Sequence, residues 1–238
     1  MNKTSYVSKV MFSDCDQKGR YKLSSALKVA SEIAGFDYTV KGYSHEFLLS
    51  KDMLFLVSKV SLKIFTFLQA YQNYKIRTWE NGKKGVLFVR GFEILDENGE
   101  LMIQGISGWA LINPRSGKVY KPIEFPYPQE QLNETFECKP LGKIQHSELT
   151  QLGERTVRYS DLDQNNHVNN AVYSDIAVDV LPNKYYDETL DNFRVTYHTA
   201  AILGDTITLF GAETEDGYVV VGYINEKACF ETEFTFVD

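Results

Sequence analysis

The stretch "SDLDQNNHVNNAVY", residues 160–173, is matched by one earlier segment, "SDCDQKGR" at 13–20. Laid over each other without gaps, the two segments share Ser, Asp, Asp and Gln at an offset of 147 residues. An apolar stripe at helical spacing follows each copy. The first stripe is Leu23, Ala26, Leu27, Ala30, Ile33 and Ala34, and the second is Val172, Tyr173, Ile176, Ala177, Val180 and Leu181. The pattern predicts a strand, a polar turn and a helix in each half.

Four β-rich segments follow each predicted helix, with turn signals such as "DENGE" (96–100) and "ETEDG" (213–217) between them. The segments are 55–65, 73–79, 85–95 and 101–113 in the front half, and 192–199, 205–212, 217–224 and 228–237 in the back half. Each repeat is too small to bury its apolar face well alone. The sequence therefore predicts an α+β architecture, with two antiparallel sheets side by side or merged into one sheet that wraps two helices.

A proline-rich segment separates the repeats, since residues 118–142 hold four of the six prolines in the chain. We therefore predict a first repeat at 1–117, a connector at 118–152 and a second repeat at 153–238.

Charge is distributed unevenly along the 238 residues. The net charge is −7 overall, but it is +5 in residues 1–117, −1 in 118–152 and −11 in 153–238. An acidic total without a basic run argues against nucleic acid as a partner. The basic front half either attracts an acidic partner or carries lysines that only solvate a surface.

The N-terminal sequence lacks the apolar stretch of a signal peptide, and no apolar run is long enough to span a membrane. Three cysteines, an odd number without metal-like spacing, suit a reducing compartment. These features predict a cytoplasmic protein without a membrane span. The absence of a transit peptide favours a bacterial protein, although a processed plastid protein would look the same.

The polar cluster has the residue types of a catalytic site. His167 stands among Asp163, Asn165, Asn169 and Asn170, which could fix its tautomer, and imidazole suits proton transfer at neutral pH. Free N–H groups at the start of the following helix are predicted to hold a developing oxyanion. The alternative is an elaborate helix cap, although a cap needs only one or two such side chains.

A metal site is disfavoured by the spacing. The loop "DLDQNNHVNNAV" (161–172) has Asp, Asp and Asn at its first, third and fifth positions, as a calcium-binding EF-hand does. It lacks the glycine at its sixth position, where Asn166 stands, and the glutamate at its twelfth, where Val172 stands. The four histidines fall at no zinc-ligand spacing, so we expect neither a metal nor another cofactor.

The two copies differ where the chemistry would be. The first has Lys18 and Arg20 where the second has Asn165 and His167, which predicts one active site per chain. The first repeat would then be free to form the walls of a substrate pocket. Its segment "DMLFLVSK" (52–59), with Leu54, Phe55 and Val57, either lines a pocket for a hydrophobic substrate or forms a plain core strand.

At "DLDQNNHVNNAVY" the sequence resembles the acyl-acyl carrier protein thioesterases of plants and bacteria, whose motif is Asp-x-Asn-x-His-Val-Asn-Asn followed by Tyr. The matching residues are Asp163, Asn165, His167, Val168, Asn169, Asn170 and Tyr173. The segments "IRTWENGKKGVLFVRGFEILDENGE", "SGWALINPRSGKVYKP" and "YHTAAILGDTI" extend the resemblance over nearly the whole chain. It implies a double hotdog fold, which agrees with the internal repeat.

The resemblance also implies hydrolysis of the thioester between a fatty acyl chain and acyl carrier protein, which ends fatty acid synthesis. His167 would transfer protons or orient water, Asn165 would bind the carbonyl or the water, and Asp163 would position both. Asn169, Asn170 and Tyr173 complete the motif and are expected at the substrate.

One position departs from the family pattern. The strand after the catalytic helix usually carries Glu followed by Cys or a small residue, and here Ala200 and Ala201 stand beyond Tyr197. Neither alanine can transfer a proton. Catalysis must then use His167 or Asp163, recruit another group such as His198, or be slow.

An acidic carrier protein would be expected to dock on the basic front half. The candidates are Lys59, Lys63, Lys75, Lys83, Lys84 and Arg90. Two other functions stay open: a thioesterase for acyl-coenzyme A, and a non-catalytic acyl-binding protein on the same scaffold. Both a monomer and a homodimer are compatible with a chain that already contains two hotdog units.

Overall fold

The computed structural model describes residues 3–146 and 148–237. The strands are β1 Thr4–Lys9, β2 Leu54–Ile64, β3 Asn73–Lys84, β4 Leu87–Asp96, β5 Leu101–Ile112, β6 Val119–Tyr120, β7 Thr150–Thr156, β8 Thr189–Tyr197, β9 Thr206–Thr214, β10 Gly217–Ile224 and β11 Lys227–Val237. The helices are α1 Leu23–Val40, α2 His45–Ser50 and α3 Val172–Val178. Short 3₁₀ turns cover Phe12–Asp14, Pro122–Glu124, Tyr159–Asp161 and Asn183–Tyr186.

The strands form one antiparallel sheet in the order β1-β3-β4-β5-β2-β8-β11-β10-β9-β7, with β6 added beside β5. The last five strands of this order repeat the first five in reverse. Strand β7 at one edge corresponds to β1 at the other, and β8 corresponds to its neighbour β2. The halves join where β2 pairs with β8, with Lys59 opposite Thr196 and Lys63 opposite Asn192. The prediction of a merged sheet is therefore confirmed.

The helical stripes pack against one face of this sheet and share its main core. The apolar stripe of α1 is buried along the helix, with Ala26 fully buried and Ile33 at 4% exposure. Helix α3 is shorter than its stripe and ends at Val178. Pro182 disfavours helical backbone at the preceding residue, so the chain leaves the helix before that point. Helix α1 in the first half and helix α3 in the second each pack against the strands of their own half. This arrangement is the double hotdog that the resemblance implied.

The later part of the proline-rich connector packs on the face of the sheet opposite the helices. Phe136 stacks on Trp79 with ring centroids 5.9 Å apart, and Ile144 packs against Val219 and Val221. Strand β6 lies in the first residues of the predicted connector, and β7 begins at Thr150, before its predicted end. Both boundaries differ because pairing with β5 and β9, respectively, recruits these residues into the sheet.

Every helix among the described residues is too short or too polar to cross a membrane.

Candidate active site

The polar cluster folds into a tight turn that its own aspartate holds together. The turn is closed by a bridge between Leu162 and Val168 and by a bond from the Asp163 N–H to the carbonyl of His167, at 2.8 Å. The carboxylate of Asp163 accepts the backbone N–H of Asn165 at 2.8 Å. Asn166 has φ of 61°, a left-handed conformation that asparagine tolerates better than most residues. The cluster is therefore first a structural turn.

The first repeat contains the same turn 147 residues earlier. Asp16 accepts the backbone N–H of Lys18 at 2.8 Å, and its own N–H bonds to the carbonyl of Arg20 at 2.8 Å. Gly19 takes the left-handed position of Asn166, with φ of 76°. The aspartate accepts the same backbone N–H in both copies, so the main chemical difference between the two turns lies in the side chains at the positions of Asn165 and His167.

These differing side chains have different partners. Arg20 donates from Nε to the Asp16 carboxylate at 2.9 Å and is fixed by it. His167 is exposed, and within residues 3–146 and 148–237 its imidazole has no hydrogen-bond partner. The expectation that neighbouring asparagines fix the tautomer of His167 is therefore wrong for this structure. The ring is instead available to a bound molecule.

The asparagine of the turn keeps part of its bonding capacity. Nδ2 of Asn165 lies 3.4 Å from Oδ2 of Asp163, a long contact that uses one of its two N–H bonds at most. Its second N–H and its carbonyl oxygen are available beside His167.

The helix start lies beyond the histidine along the chain. Helix α3 begins at Val172, five residues after His167, and has only seven residues. Two amides near its start are already bonded: Ala171 donates to the side chain of Asn169 at 3.0 Å, and Val172 donates to the Asn169 carbonyl at 2.8 Å. Stabilisation of an oxyanion by the remaining N–H groups of this helix stays a prediction.

Tyr173 anchors the turn from inside. It is 2% exposed, its hydroxyl accepts the N–H of Ala201 at 3.0 Å, and the Ala201 carbonyl accepts the N–H of Val168 at 2.9 Å. Burial, the largest cause, raises the pKa of Tyr173 to about 12. Tyr173 is therefore a positioning residue that ties the turn to the end of β8, and the expectation that it lies at the substrate is wrong. Asn169 serves the turn in the same way, and Asn170 is half-buried beside it.

The two alanines after β8 occupy different environments. Ala200 is exposed, whereas Ala201 is fully buried under the turn. His198 does not replace the missing glutamate, because it lies on the other face of the sheet from Tyr197, whose ring packs against Tyr173. There Nε2 of His198 is 3.4 Å from Glu231, and this contact lowers the pKa of the Glu231 carboxyl.

A cavity of about 270 Å³ lies in the first repeat. Its walls come from α1, α2, four strands and the connector, and they include Leu54 and Phe55 from the segment predicted to line a pocket. Val57 does not line it: this side chain belongs to the core, with 7% exposure. Trp109 connects the cavity to the main core, since it packs against both the cavity's aromatic cluster and the core that contains Tyr173.

Within the described residues no group of three or more His, Cys, Asp or Glu side chains is arranged to hold a metal ion.

Comparison with protein families decides the relationship. The N-terminal domain of acyl-ACP thioesterases matches residues 2–124, and the C-terminal domain of the same family matches residues 144–231. The chain belongs to the acyl-ACP thioesterase family.

Individual relatives are distant. A palmitoyl-acyl carrier protein thioesterase of Cuphea hookeriana is 27% identical over 158 residues, 60% of this chain and 36% of the relative. An acyl-[acyl-carrier-protein] hydrolase of Cuphea viscosissima is 27% identical over 140 residues, 53% of this chain and 33% of the relative. The chain thus matches about a third of the length of each of these curated relatives.

Solved structures show the same fold across the whole chain. An acyl-ACP thioesterase from Bacteroides thetaiotaomicron has a TM-score of 0.86 at 20% identity, covering 99% of this chain and 98% of its own. The 12:0-ACP thioesterase from Umbellularia californica has a TM-score of 0.82 at 14% identity, covering 99% and 97%.

In this family member, half of the predicted carrier-docking residues are already occupied. Arg90 is 4% exposed and paired with Asp37 at 2.7 Å, so its assignment to a docking face is wrong. Lys59 is half-buried and donates to the Gly142 carbonyl, and Lys63 forms an ion pair with Asp191. Lys75, Lys83 and Lys84 are exposed.

The sequence analysis missed a charged group in the wall of the cavity. Glu80 and Arg90 line the cavity, and Asp37 and Lys41 pair with them; Asp37, Glu80 and Arg90 are at most 7% exposed. The signal was present in the sequence, because Asp37 continues the helix stripe and Arg90 stands between Phe88 and Phe92 on the inward face of β4. Charges at inward positions of apolar elements indicate a buried pair.

Proposed function

We propose that this chain hydrolyses the thioester of fatty acyl-acyl carrier protein and so releases the free fatty acid that ends chain synthesis. The observation that carries the proposal is His167: an exposed imidazole without a partner in the described structure, on a turn that hydrogen bonds tie to the segment after β8. Membership of the acyl-ACP thioesterase family and the printed activities of its relatives support the reaction and the substrate.

The proposed reaction uses water as the nucleophile. His167 accepts a proton from water as the water oxygen attacks the thioester carbonyl carbon. The free N–H of Asn165 donates to the carbonyl oxygen as it gains negative charge. The carbon–sulfur bond then breaks, and the proton held by His167 passes to the leaving thiolate. The products are a fatty acid and the carrier's free thiol. Asp163 holds Asn165 and the turn in place and does not itself move a proton.

The acyl chain is proposed to enter the cavity past Trp109, with Leu54 and Phe55 as apolar walls. Burial of such a chain is favourable by about 0.8 kcal/mol per methylene removed from water. Val57 supports this wall from behind, within the core.

A second function is favoured by one observation. Ala200 and Ala201 stand where the family usually has its carboxylate, which suits an acyl-binding protein without turnover. An acyl-coenzyme A thioesterase is the other alternative, and it would use the same turn and cavity.

The deciding experiment measures thiol release from acyl-carrier proteins of graded chain length, including the 16-carbon chain named for a relative, with wild type and His167→Ala side by side. Turnover by wild type that collapses in the variant supports the hydrolase. Acyl binding without turnover supports the binding protein. Higher rates on coenzyme A than on carrier-linked substrates of one chain length support the coenzyme A enzyme.

Cytoplasmic location and a monomeric or dimeric state remain parts of this proposal. Support for a reducing compartment comes from Cys15, Cys138 and Cys229, which are all unpaired thiols in the structure.

A further inference from the structure

Glu80 places a carboxylate in the wall of the cavity with its acceptors unused. The residue is 7% exposed and lines the cavity from β3. Neither of its carboxylate oxygens has a hydrogen-bond partner in the described part of the chain. A buried carboxylate without donors is costly, because it has lost water and gained no replacement.

The neighbouring cations direct their donors elsewhere. Nη2 of Arg90 donates to Asp37 at 2.7 Å, and Nζ of Lys41 donates to the same carboxylate at 3.0 Å. Their distances to Oε1 of Glu80 are 3.9 Å and 3.5 Å, which give attraction without a hydrogen bond. Asp37 thus satisfies the cations, and Glu80 remains a buried acceptor without a hydrogen bond in the described structure, in a side chain that lines the cavity.

Glu80 lies at the side of the cavity away from the second repeat. It stands opposite Arg90 in the β3–β4 ladder, just before the bulge at Asn81 and Gly82. Strand β3 is four strand positions from β8 in the sheet. The turn that carries His167 is bonded to the segment that follows β8. At about 4.8 Å per position, the separation of the two strands is roughly 19 Å. Apolar side chains of Phe55, Phe88 and Trp109 lie between the two sites.

We propose that Glu80 forms a subsite for a hydroxyl group near the distal end of the acyl chain, so that the preferred substrates are hydroxylated fatty acyl thioesters. The proposal rests on the proposed function, which places the thioester near His167. A hydroxyl supplies the donor that Glu80 lacks. A cationic end group is disfavoured by Lys41 and Arg90, and an anionic end group by Asp37 and Glu80 itself, so the ligand group is neutral.

The test compares kcat/KM for carrier-linked acyl chains of one length, with and without a terminal hydroxyl, in graded lengths. We expect wild type to favour the hydroxylated chain by about tenfold or more at the best length, because a site built to bond a hydroxyl rejects the analogue that lacks it. Glu80→Leu should lose this preference, and Glu80→Gln should retain part of it because its amide still accepts a hydrogen bond.

Glu93 offers a matched control. It is also 7% exposed and ion-paired, at 2.5 Å to Arg77, but it does not line the cavity. Glu93→Leu should therefore leave the hydroxyl preference at its wild-type value. Equal rates on both chains in wild type, or an equal loss of preference in the Glu80 and Glu93 variants, would overturn the subsite.

Failure of the proposed function has a different signature. If wild type hydrolyses no acyl-carrier protein, calorimetry with free ω-hydroxy and plain fatty acids of equal length decides the subsite by itself. Tighter binding of the hydroxylated acid, lost in Glu80→Leu, supports the subsite without turnover. Equal affinities of wild type for both acids overturn it, even if Glu80→Leu does not fold.

Discussion

Asp16 and Asp163 hold equivalent turns 147 residues apart, each accepting the backbone N–H of the residue two positions on at 2.8 Å. The repeated turn carries Arg20 in one copy and His167 in the other. The scaffold of the proposed site is therefore duplicated, while its proton-transfer group is present once.

Replacing His167 by alanine should lower kcat by about 10²–10⁴-fold, because the turn would lose its acid–base group. The free energy of unfolding should change by less than about 0.5 kcal/mol, since the side chain is exposed and makes no bond in the described structure. Steady-state kinetics and urea unfolding measure the two effects. Arg20→Ala, at the equivalent position, is the control and should retain wild-type kcat; a similar loss in both variants would contradict the assignment.

The two aspartates should differ in both stability and activity. Asp163→Ala should lower the free energy of unfolding by about 1 kcal/mol, the usual net value of a lost hydrogen bond, and Asp16→Ala should lower it by more, because Asp16 also accepts two bonds from Arg20. Only Asp163→Ala should lower kcat, because it alone releases Asn165 and the turn that carries His167. Chemical denaturation alongside thiol-release assays tests this, and equal kcat values in both variants would exclude a positioning role for Asp163.

The two alanines after β8 should respond differently to glutamate. Ala200→Glu adds a carboxylate at an exposed position and should raise kcat by about tenfold or more if the missing family glutamate limits the rate. Ala201→Glu would bury the carboxylate beside Tyr173 and should cost several kcal/mol of stability. Thermal unfolding and initial rates separate these outcomes. An Ala200→Glu enzyme that folds normally and shows no gain would place the chemistry on His167 alone.

The buried Asp37 should make stability depend on acid pH. Burial would raise its pKa, but Arg90, Thr4 and Lys41 together hold the pKa of this carboxyl below its ordinary value. A lowered pKa stabilises the fold above the unfolded value of about 3.9, and the contribution is lost as pH falls through the lower folded pKa. The difference in unfolding free energy between wild type and Asp37→Asn should therefore shrink from about pH 5 to about pH 2. A difference that stays constant over this interval would contradict the shift.

Carrier docking should involve the β3–β4 hairpin. Lys83 and Lys84 are exposed there, next to Gly82 in the cavity wall, while Lys75 lies about 26 Å away along the strand. The double variant Lys83→Glu, Lys84→Glu should raise KM for carrier-linked substrates several-fold, most at low salt, because opposite charges steer association. Coenzyme A-linked substrates should be unaffected. Lys75→Glu is the control, and an unchanged KM in the double variant would remove this face from docking.

Local patterns predicted much of the fold. The α1 stripe is buried as its spacing indicated, and the eight β-rich segments became β2 to β5 and β8 to β11, because period and turn residues act over short distances. The offset of 147 residues between the polar turns also predicted their shared geometry. Boundaries failed where partners far along the chain decide them, as at β7, which forms only by pairing with β9.

The sequence by itself determined the repeat, the α+β architecture and the one turn that carries a histidine, since these follow from residue identity and spacing. Only the tertiary structure decided that His167 has no partner within the described residues, that Tyr173 supports rather than contacts the site, and that Arg90 is buried against Asp37. Those facts depend on side chains from separate strands and helices meeting in three dimensions. The same packing left Glu80 without a hydrogen-bond donor in the described structure, which no local pattern shows.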